Sequence, residues 1–187
     1  MRYPSLLLIA LCLSVCSYGQ LQVTEPDKSP LDVSYSPQGY PILKFQNKEM
    51  NGKLNARVVY SRPQVKGRVI FGSEVKYNEV WRLGANESTE IELYKNAVIA
   101  GKKIAKGRYS MYCIPEENQW TIILNKDTDS WGSFSYNAER DVVRAAIGVS
   151  KNESPVEYLT IYFDNVNNLV MMWADLKANL PIQFAVK

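Results

Sequence analysis

The sequence predicts an all-β protein, an antiparallel β-sandwich or jelly-roll of about eight to ten strands with one or two short helical turns. Apolar and polar residues alternate with a period of two through most of the chain after residue 41, and turn-forming residues separate these segments. No long amphipathic helix pattern is present. Twelve tyrosines against five phenylalanines also favour pleated, half-exposed strand surfaces.

The alternation begins at residues 54–60, where Leu54, Ala56, Val58 and Tyr60 share one face. Turn residues such as Lys106-Gly107 separate the later strands. Short helical turns are expected in FGSEVKYNEVWR and NAERDVV. The remaining strands are predicted in TEIELY, RYSMYCI, WTIILN, VVRAAIGV, VEYLTIYF, NLVMMWADL and IQFAV.

Residues 1–19 have the pattern of a signal peptide, with Arg2 ahead of an apolar core and a small-residue end at Gly19. The core of about ten residues is too short to span a bilayer, so no transmembrane segment is predicted. The alternative is a lipoprotein anchored at Cys16. We favour release, because Val15 is bulky where a lipobox has a small residue. The protein is therefore expected to be exported, either periplasmic or secreted.

Two further segments follow the export signal. Residues 20–41 are rich in proline, serine and aspartate, and we expect a tether or a loosely docked lead-in. Residues 42–187 then form one β-sandwich domain.

The composition excludes several kinds of chemistry. The chain has no histidine, which removes Ser-His and Cys-His nucleophile pairs and the usual zinc ligands. After export only Cys113 remains for internal pairing, so no internal disulfide is possible and Cys113 is expected to be a buried small hydrophobe. The turn NKDTDSW lacks the glycine and glutamate of a calcium loop. We expect no metal and no cofactor.

The charge balance excludes nucleic acid as an expected partner. The formal charge is +3, and removal of Arg2 leaves 21 basic against 19 acidic residues, or +2. Such a small and evenly spread excess does not make a phosphate-binding surface.

Two motifs concentrate charge in irregular backbone, where binding sites are usually built. The first, YSRPQVKGRVIFG, carries Arg62, Lys66 and Arg68 around a proline and a glycine. The second is VWRLGANEST. Its candidate residues are Trp81, Arg82, Asn86 and Glu87.

These motifs, with GKKIAKGRYSMYCIP, WTIILNKDTDSWG and DVVR, resemble the signature blocks of a bacterial family of exported domains of unknown function (family 2911). The resemblance runs from Val59 to Arg144, with the blocks in the same order and at similar spacing. It implies an all-β periplasmic or secreted domain, and it implies no activity.

Each candidate residue has a binding interpretation and a structural one. Arg62 and Arg82 are expected to grip a carboxylate, sulfate or phosphate together, or else to be neutralised separately by nearby glutamates. Lys66 is a candidate ligand contact, although a solvated basic loop is the simpler expectation. Trp81 is either a core residue or a stacking platform for a sugar. Trp131 follows a polar turn and has the stronger claim to exposure.

Our leading hypothesis is a binding module for an anionic or polyhydroxylated ligand, such as an envelope sugar, a uronic acid or a peptide end. One alternative is a carbohydrate-active hydrolase or lyase that uses Glu87 with a second acid or base, such as Glu74, Glu139 or Asp141. The other is a scaffold of an envelope complex. Since no catalytic pair is identifiable, the sequence favours binding and leaves enzymatic activity open.

Overall fold

The computed structural model describes residues 25–185, and its strands confirm the predicted all-β class. Seven strands form one antiparallel sheet in the order β1-β2-β3-β6-β7-β8-β9, and three form a second in the order β10-β4-β5. The strands are β1 (Leu31–Ser36), β2 (Ala56–Ser61), β3 (Thr89–Leu93), β4 (Ala97–Ile99), β5 (Lys102–Ile104), β6 (Gly107–Pro115), β7 (Gln119–Asn125), β8 (Asp141–Phe163), β9 (Asn168–Pro181) and β10 (Gln183–Phe184).

The larger sheet curls into a half-barrel because β8 is 23 residues long and changes partners along its length. Its first part pairs with β7. Register shifts between Lys151 and Thr160 then bend the strand, as β-bulges do. Beyond the bend, the Leu159 N–H donates to the Pro63 carbonyl at 3.0 Å, and the Val65 N–H donates to the Glu157 carbonyl at 2.8 Å. The late part of β8 therefore lies against the chain that leaves β2.

The sheet begins before residue 42, the domain boundary expected from the sequence. Residues 31–36, within the expected lead-in, form β1 and pair with β2 along their whole length. The helix α1 (Tyr40–Gln46) follows, and it was not anticipated. A short 3₁₀ turn at Ala138–Arg140 lies within the predicted NAERDVV turn, whereas FGSEVKYNEVWR forms turns without a helix. The expected signal peptide lies outside the described residues.

The core fills the inner face of the half-barrel with aromatic rings. Trp81 stacks on Trp173 with ring centroids 5.8 Å apart and planes 17° from parallel. Phe71 contacts both of these rings edge-on and lies 5.0 Å from Trp120. Cys113 is fully buried in the same cluster, and burial raises the pKa of its thiol well above the usual value. It is thus a neutral core residue, as predicted from the sequence.

The outer face of the same strands is polar. Because side chains alternate across a sheet, the residues between the core positions form cross-strand rows on this face. One row runs from Val59 through Glu90, Ser110 and Asn125 to Asp141. Asp141, at the end of this row, is one of the acids that the sequence suggested as a partner of Glu87.

The aromatic core predicts the cost of removing Phe71. Phe71→Ala deletes a ring that contacts three tryptophans, so we expect the free energy of unfolding to fall by about 3–5 kcal/mol. Urea unfolding followed by tryptophan fluorescence measures this loss. Phe134→Ala is the matched control, because the Phe134 side chain is 87% exposed and its removal should change stability by less than about 0.5 kcal/mol. Equal unfolding midpoints for the two variants would contradict this account of the core.

Candidate functional site

The candidate site is built from two segments that pair with each other. The Gly132 N–H donates to the Asn86 carbonyl at 2.9 Å, and the Ser88 N–H donates to the Ser130 carbonyl at 2.9 Å. Between these bonds Glu87 and Trp131 form a β-bridge. We call residues 82–89 and 130–134 the loop pair.

Hydrogen bonds between its two ends close the first segment of the loop pair into a loop. The Thr89 N–H donates to the Arg82 carbonyl at 3.1 Å, and the Thr89 hydroxyl donates to the Leu83 carbonyl at 2.7 Å. At the base of the loop, the indole N–H of Trp81 donates to the Gly84 carbonyl at 3.1 Å. Leu83 is fully buried with a φ of 53°, a conformation that bulky residues rarely adopt. Strain of this kind persists only where the surroundings impose it, and it is concentrated at functional sites.

Arg82 carries a positive charge that the rest of the described chain does not neutralise. Its Nε is buried without a hydrogen-bond partner, and no carboxylate among residues 25–185 forms an ion pair with it. Burial lowers the pKa of its guanidinium. Trp81 pairs with Cys113 and points into the core, and Arg82, the next residue, is partly buried at the start of the irregular segment that follows.

Two aromatic side chains stand exposed on the second segment. Trp131 is 60% exposed, as expected from the sequence, and Phe134 is 87% exposed. Between them Gly132 has a φ of 66°, and a Cβ built there would lie 2.8 Å from Cε2 of Phe134. Glycine at this position therefore permits both the turn and the place of the Phe134 ring.

A polar network lies beneath the loop pair. The Ser88 hydroxyl donates to the Gly132 carbonyl and lies 3.3 Å from the hydroxyl of Tyr112. The Tyr112 ring packs edge-on against Tyr136, with centroids 5.0 Å apart. Tyr136 in turn donates from its hydroxyl to Asp141 at 2.7 Å. The network links the loop pair to the start of β8.

Asp141 is the acceptor at the centre of this network. Besides Tyr136, it accepts from Nδ2 of Asn125 at 2.7 Å and from Nε of Arg144 at 2.8 Å. Burial and the hydrogen bond to Asp141 raise the pKa of Tyr136 to about 12. The hydrogen bond to Asp141 also raises the pKa of Arg144. At neutral pH Tyr136 stays protonated and Arg144 charged, so the network gives the site a fixed support.

Arg62 lies in a different site from Arg82 and Glu87. Its guanidinium donates to Asp32 at 3.1 Å, to the Leu159 carbonyl at 3.1 Å and to the Thr160 hydroxyl at 3.0 Å. The cavity of about 380 Å³ that Arg62 lines is bounded by β1, β2 and β8, without Arg82 or Glu87. No hydrogen bond or ion pair of the described residues joins Arg62 to either of them. Arg62 instead ties the curled sheet together, through an aspartate that the sequence analysis did not consider.

The other basic residues of the first motif shape a turn. Lys66 has a φ of 47°, and its backbone N–H donates to Glu157 at 2.9 Å, while its side chain is exposed. Arg68 bonds Glu74 at 2.8 Å and the carbonyls of Val65 and Gln64. No hydrogen bond of the described residues joins Lys66 to the loop pair. Arg68 closes the turn through its three acceptors.

The remaining predicted residues divide between core and surface. Trp81 belongs to the core, so its ring offers no face to a ligand in solvent. Asn86 has a φ of 58° and holds Gly132 through its carbonyl. Glu87 is exposed on the loop pair, and its side chain makes no hydrogen bond or ion pair with the described residues. Of its suggested catalytic partners, Glu74 is paired with Arg68 and Asp141 is surrounded by three donors.

Sequence reasoning missed Phe134 and the network below it. The stretch WGSFSY at residues 131–136 alternates aromatic and small residues after a polar turn, and this pattern could have indicated exposed rings. Asp141 and Arg144 lie three residues apart at the start of β8, whereas Tyr112 comes from β6. Only the sheet register brings them together.

The contacts of Arg62 predict a stability role. Arg62→Ala breaks three hydrogen bonds between strands, so we expect a loss of about 1–3 kcal/mol in the free energy of unfolding. Chemical denaturation measures it. Arg57→Ala is the control, since it removes only a half-exposed ion pair with Glu92, worth at most about 1 kcal/mol. A larger loss for Arg57→Ala than for Arg62→Ala would refute this assignment.

The raised pKa of Tyr136 predicts behaviour at alkaline pH. A group whose pKa is higher in the folded state stabilises the fold below its unfolded value of 10.0, and this contribution disappears as the pH rises through about 12. Ultraviolet titration of the folded protein should show one tyrosine fewer ionising near pH 12 in Tyr136→Phe than in the wild type. Tyr94→Phe removes a second such tyrosine, held by Glu92, and serves as the reference. If the tyrosine lost in Tyr136→Phe ionises near pH 10, the network is not formed in solution.

Within residues 25–185 no helix has the length and apolar character needed to cross a membrane, and no three acidic or cysteine side chains gather where they could hold a metal.

Comparisons with known proteins place the chain by sequence. Neither the comparison with curated proteins nor that with solved structures gave a match. A family model described as "Protein of unknown function (DUF2911)" matches residues 44–182, well over half of the chain, and the protein therefore belongs to that family.

Proposed function

We propose that this protein is an exported binding module whose loop pair recognises an anionic, polyhydroxylated ligand, with uronic-acid sugars as the class that fits it best. The observation that carries the proposal is the unneutralised guanidinium of Arg82 on the same loop pair as two exposed aromatic rings. Neither feature contributes to the stability of the fold in the way that Arg62 or Trp81 does.

The unpaired Arg82 favours an anion. A buried donor without a partner has lost its hydration and gained nothing in return, which costs about 1–3 kcal/mol. A carboxylate cannot reach the buried Nε, but the two terminal nitrogens of the guanidinium are neither hydrogen-bonded nor fully buried among the described residues. A carboxylate that accepts from these nitrogens compensates the buried charge through charge-assisted hydrogen bonds. The planar fork of arginine also selects groups with two oxygens in one plane.

The exposed rings favour a sugar. Trp131 and Phe134 present apolar area to solvent, although large apolar side chains are usually buried. A pyranose ring has an apolar face that packs on an aromatic ring, while its hydroxyls require polar partners such as Glu87. The paired backbone and Gly132 hold the second segment in place before binding, which reduces the entropy lost in forming a complex.

Binding explains the arrangement better than catalysis or scaffolding does. A glycosidase needs two carboxyl groups that face each other across the substrate. Of the suggested partners of Glu87, Glu74 is paired with Arg68, Asp141 accepts from three donors, and no contact among the described residues joins Glu139 to Glu87. A scaffold role needs arginines that tie strands together. Arg62 meets that description and Arg82 does not.

The test uses thermal shift and calorimetry with two probes, an oligomer of galacturonic acid and the matching neutral oligomer of galactose. We expect the wild type to bind the acidic oligomer more tightly. Arg82→Ala should weaken that binding by about tenfold to a hundredfold, the effect of one lost charge-assisted contact, and leave the melting temperature unchanged or higher. Trp131→Ala should weaken binding of both oligomers.

Arg140→Ala is the matched control, because Arg140 is exposed and outside every ion pair of the described residues. It removes the same charge and should leave binding unchanged. A loss of several kcal/mol of stability in Arg82→Ala would indicate a structural charge and would count against the proposal. Failure of the wild type to bind the acidic oligomer would also reject it.

A further inference from the structure

One end of the half-barrel is formed by four segments: residues 40–55, 94–96, 105–107 and 164–168. We call this surface the α1 end. Hydrogen bonds hold it together: the Asn55 N–H donates to the Ser36 carbonyl at 2.8 Å, and the Tyr94 N–H donates to the Asn55 carbonyl at 2.8 Å. The Ser36 hydroxyl donates to the side chain of Asn167 at 2.8 Å. The β8–β9 turn therefore contacts Ser36, four residues before the start of α1.

The helix α1 buries almost none of its own surface. Tyr40 is buried, but every residue from 41 to 49 is exposed. Ile42 and Phe45 lie three positions apart, on one side of the helix, and Phe45 is 91% exposed. Val166, at the neighbouring turn, is 73% exposed. Short helices are normally stabilised by packing an apolar side, so this side is available to a partner.

The charges around these apolar residues are mostly positive. The four segments contain five lysines and two acids, Glu49 and Asp164. Both oxygens of Asp164 are occupied, by the N–H groups of Val166 and Asn168 and the Asn168 amide. The five lysines are Lys44, Lys48, Lys53, Lys95 and Lys106. None of them forms an ion pair within the described residues.

We propose that the α1 end docks on an anionic lipid surface. Ile42, Phe45 and Val166 enter the interface between headgroups and acyl chains, and the surrounding lysines contact anionic headgroups. This is the combination by which interfacial helices bind membranes, and each lysine near the surface adds to the attraction.

The chemistry of the surface favours lipid over a protein partner. Lysine is depleted in protein interfaces, whereas the four segments of the α1 end contain five lysines. The apolar side chains also protrude from a helix and a turn, a shape that suits a deformable surface. The proposal is independent of the ligand site: β2 starts at the α1 end with Ala56 and ends at Ser61, whose backbone lies against Gly84 of the loop pair. A docked protein would therefore hold the loop pair away from the membrane.

The experiment is flotation of the full-length exported chain with vesicles of phosphatidylcholine, with or without phosphatidylglycerol. We expect binding only to the vesicles that contain phosphatidylglycerol, and weaker binding as salt is raised. Ile42→Ser/Phe45→Ser removes the apolar contact, and Lys44→Glu/Lys48→Glu reverses two charges. Each double variant should reduce the partition coefficient about tenfold or more.

Val69→Ser and Lys66→Glu are the matched controls, since both side chains are exposed and lie outside the α1 end. They should bind vesicles as the wild type does. Circular dichroism checks that all variants fold. Absence of wild-type binding to anionic vesicles, or equal binding by Ile42→Ser/Phe45→Ser, would overturn the proposal. Sedimentation equilibrium tests whether a second copy of the chain binds this surface instead. If the wild type forms a dimer that Ile42→Ser/Phe45→Ser dissociates, and does not bind vesicles, the surface is a self-association interface and lipid docking is rejected.

Discussion

The stacking of Trp81 on Trp173 inside the half-barrel is the interaction on which the rest of the structure depends. It joins the chain after β2 to the last long strand, and Phe71 and Trp120 surround it. The same Trp81 holds Gly84 through its indole N–H and pairs with Cys113 through its backbone. The loop that follows, which begins at Arg82, thus starts from a fixed point in the core. The aromatic core positions the candidate site without taking part in it.

The two arginines of the charged motifs illustrate how one residue type serves different roles. Arg62 is neutralised by Asp32 and bonded to two further acceptors, so its charge stabilises the closure of the sheet. Arg82 has a buried Nε with no acceptor among the described residues, so its charge reduces stability unless a ligand compensates it at the terminal nitrogens. The difference lies in the acceptors that the fold places beside each guanidinium. A group that costs the fold stability is a better candidate for binding than one that contributes to it.

The loop pair lies at the surface, but many contacts hold it in place. Backbone hydrogen bonds join its segments, Leu83 keeps a strained conformation, and Asp141 with its three donors supports it from below. Rigid support of this kind is what a binding site needs, because it limits the entropy lost on association. The α1 end differs: of its helix only Tyr40 is buried, and its lysines form no ion pair with the described residues. The two proposals together describe a module that is held at a surface by one end and binds a ligand at the other.

The sequence by itself determined most of the strands, the turns between them and their apolar core positions, because side chains alternate along a strand whatever the rest of the chain does. Val58 and Tyr60 face inward as predicted, and Trp131 is exposed as its polar turn indicated. The family resemblance was likewise visible in short blocks of residues. Sequence could not show that residues 31–36 complete the sheet, or that Arg62 would meet Asp32 and not Glu87. Those contacts were decided by the curl of the sheet, which joins residues distant along the chain, and no local pattern specifies which distant groups a fold will bring within hydrogen-bond distance.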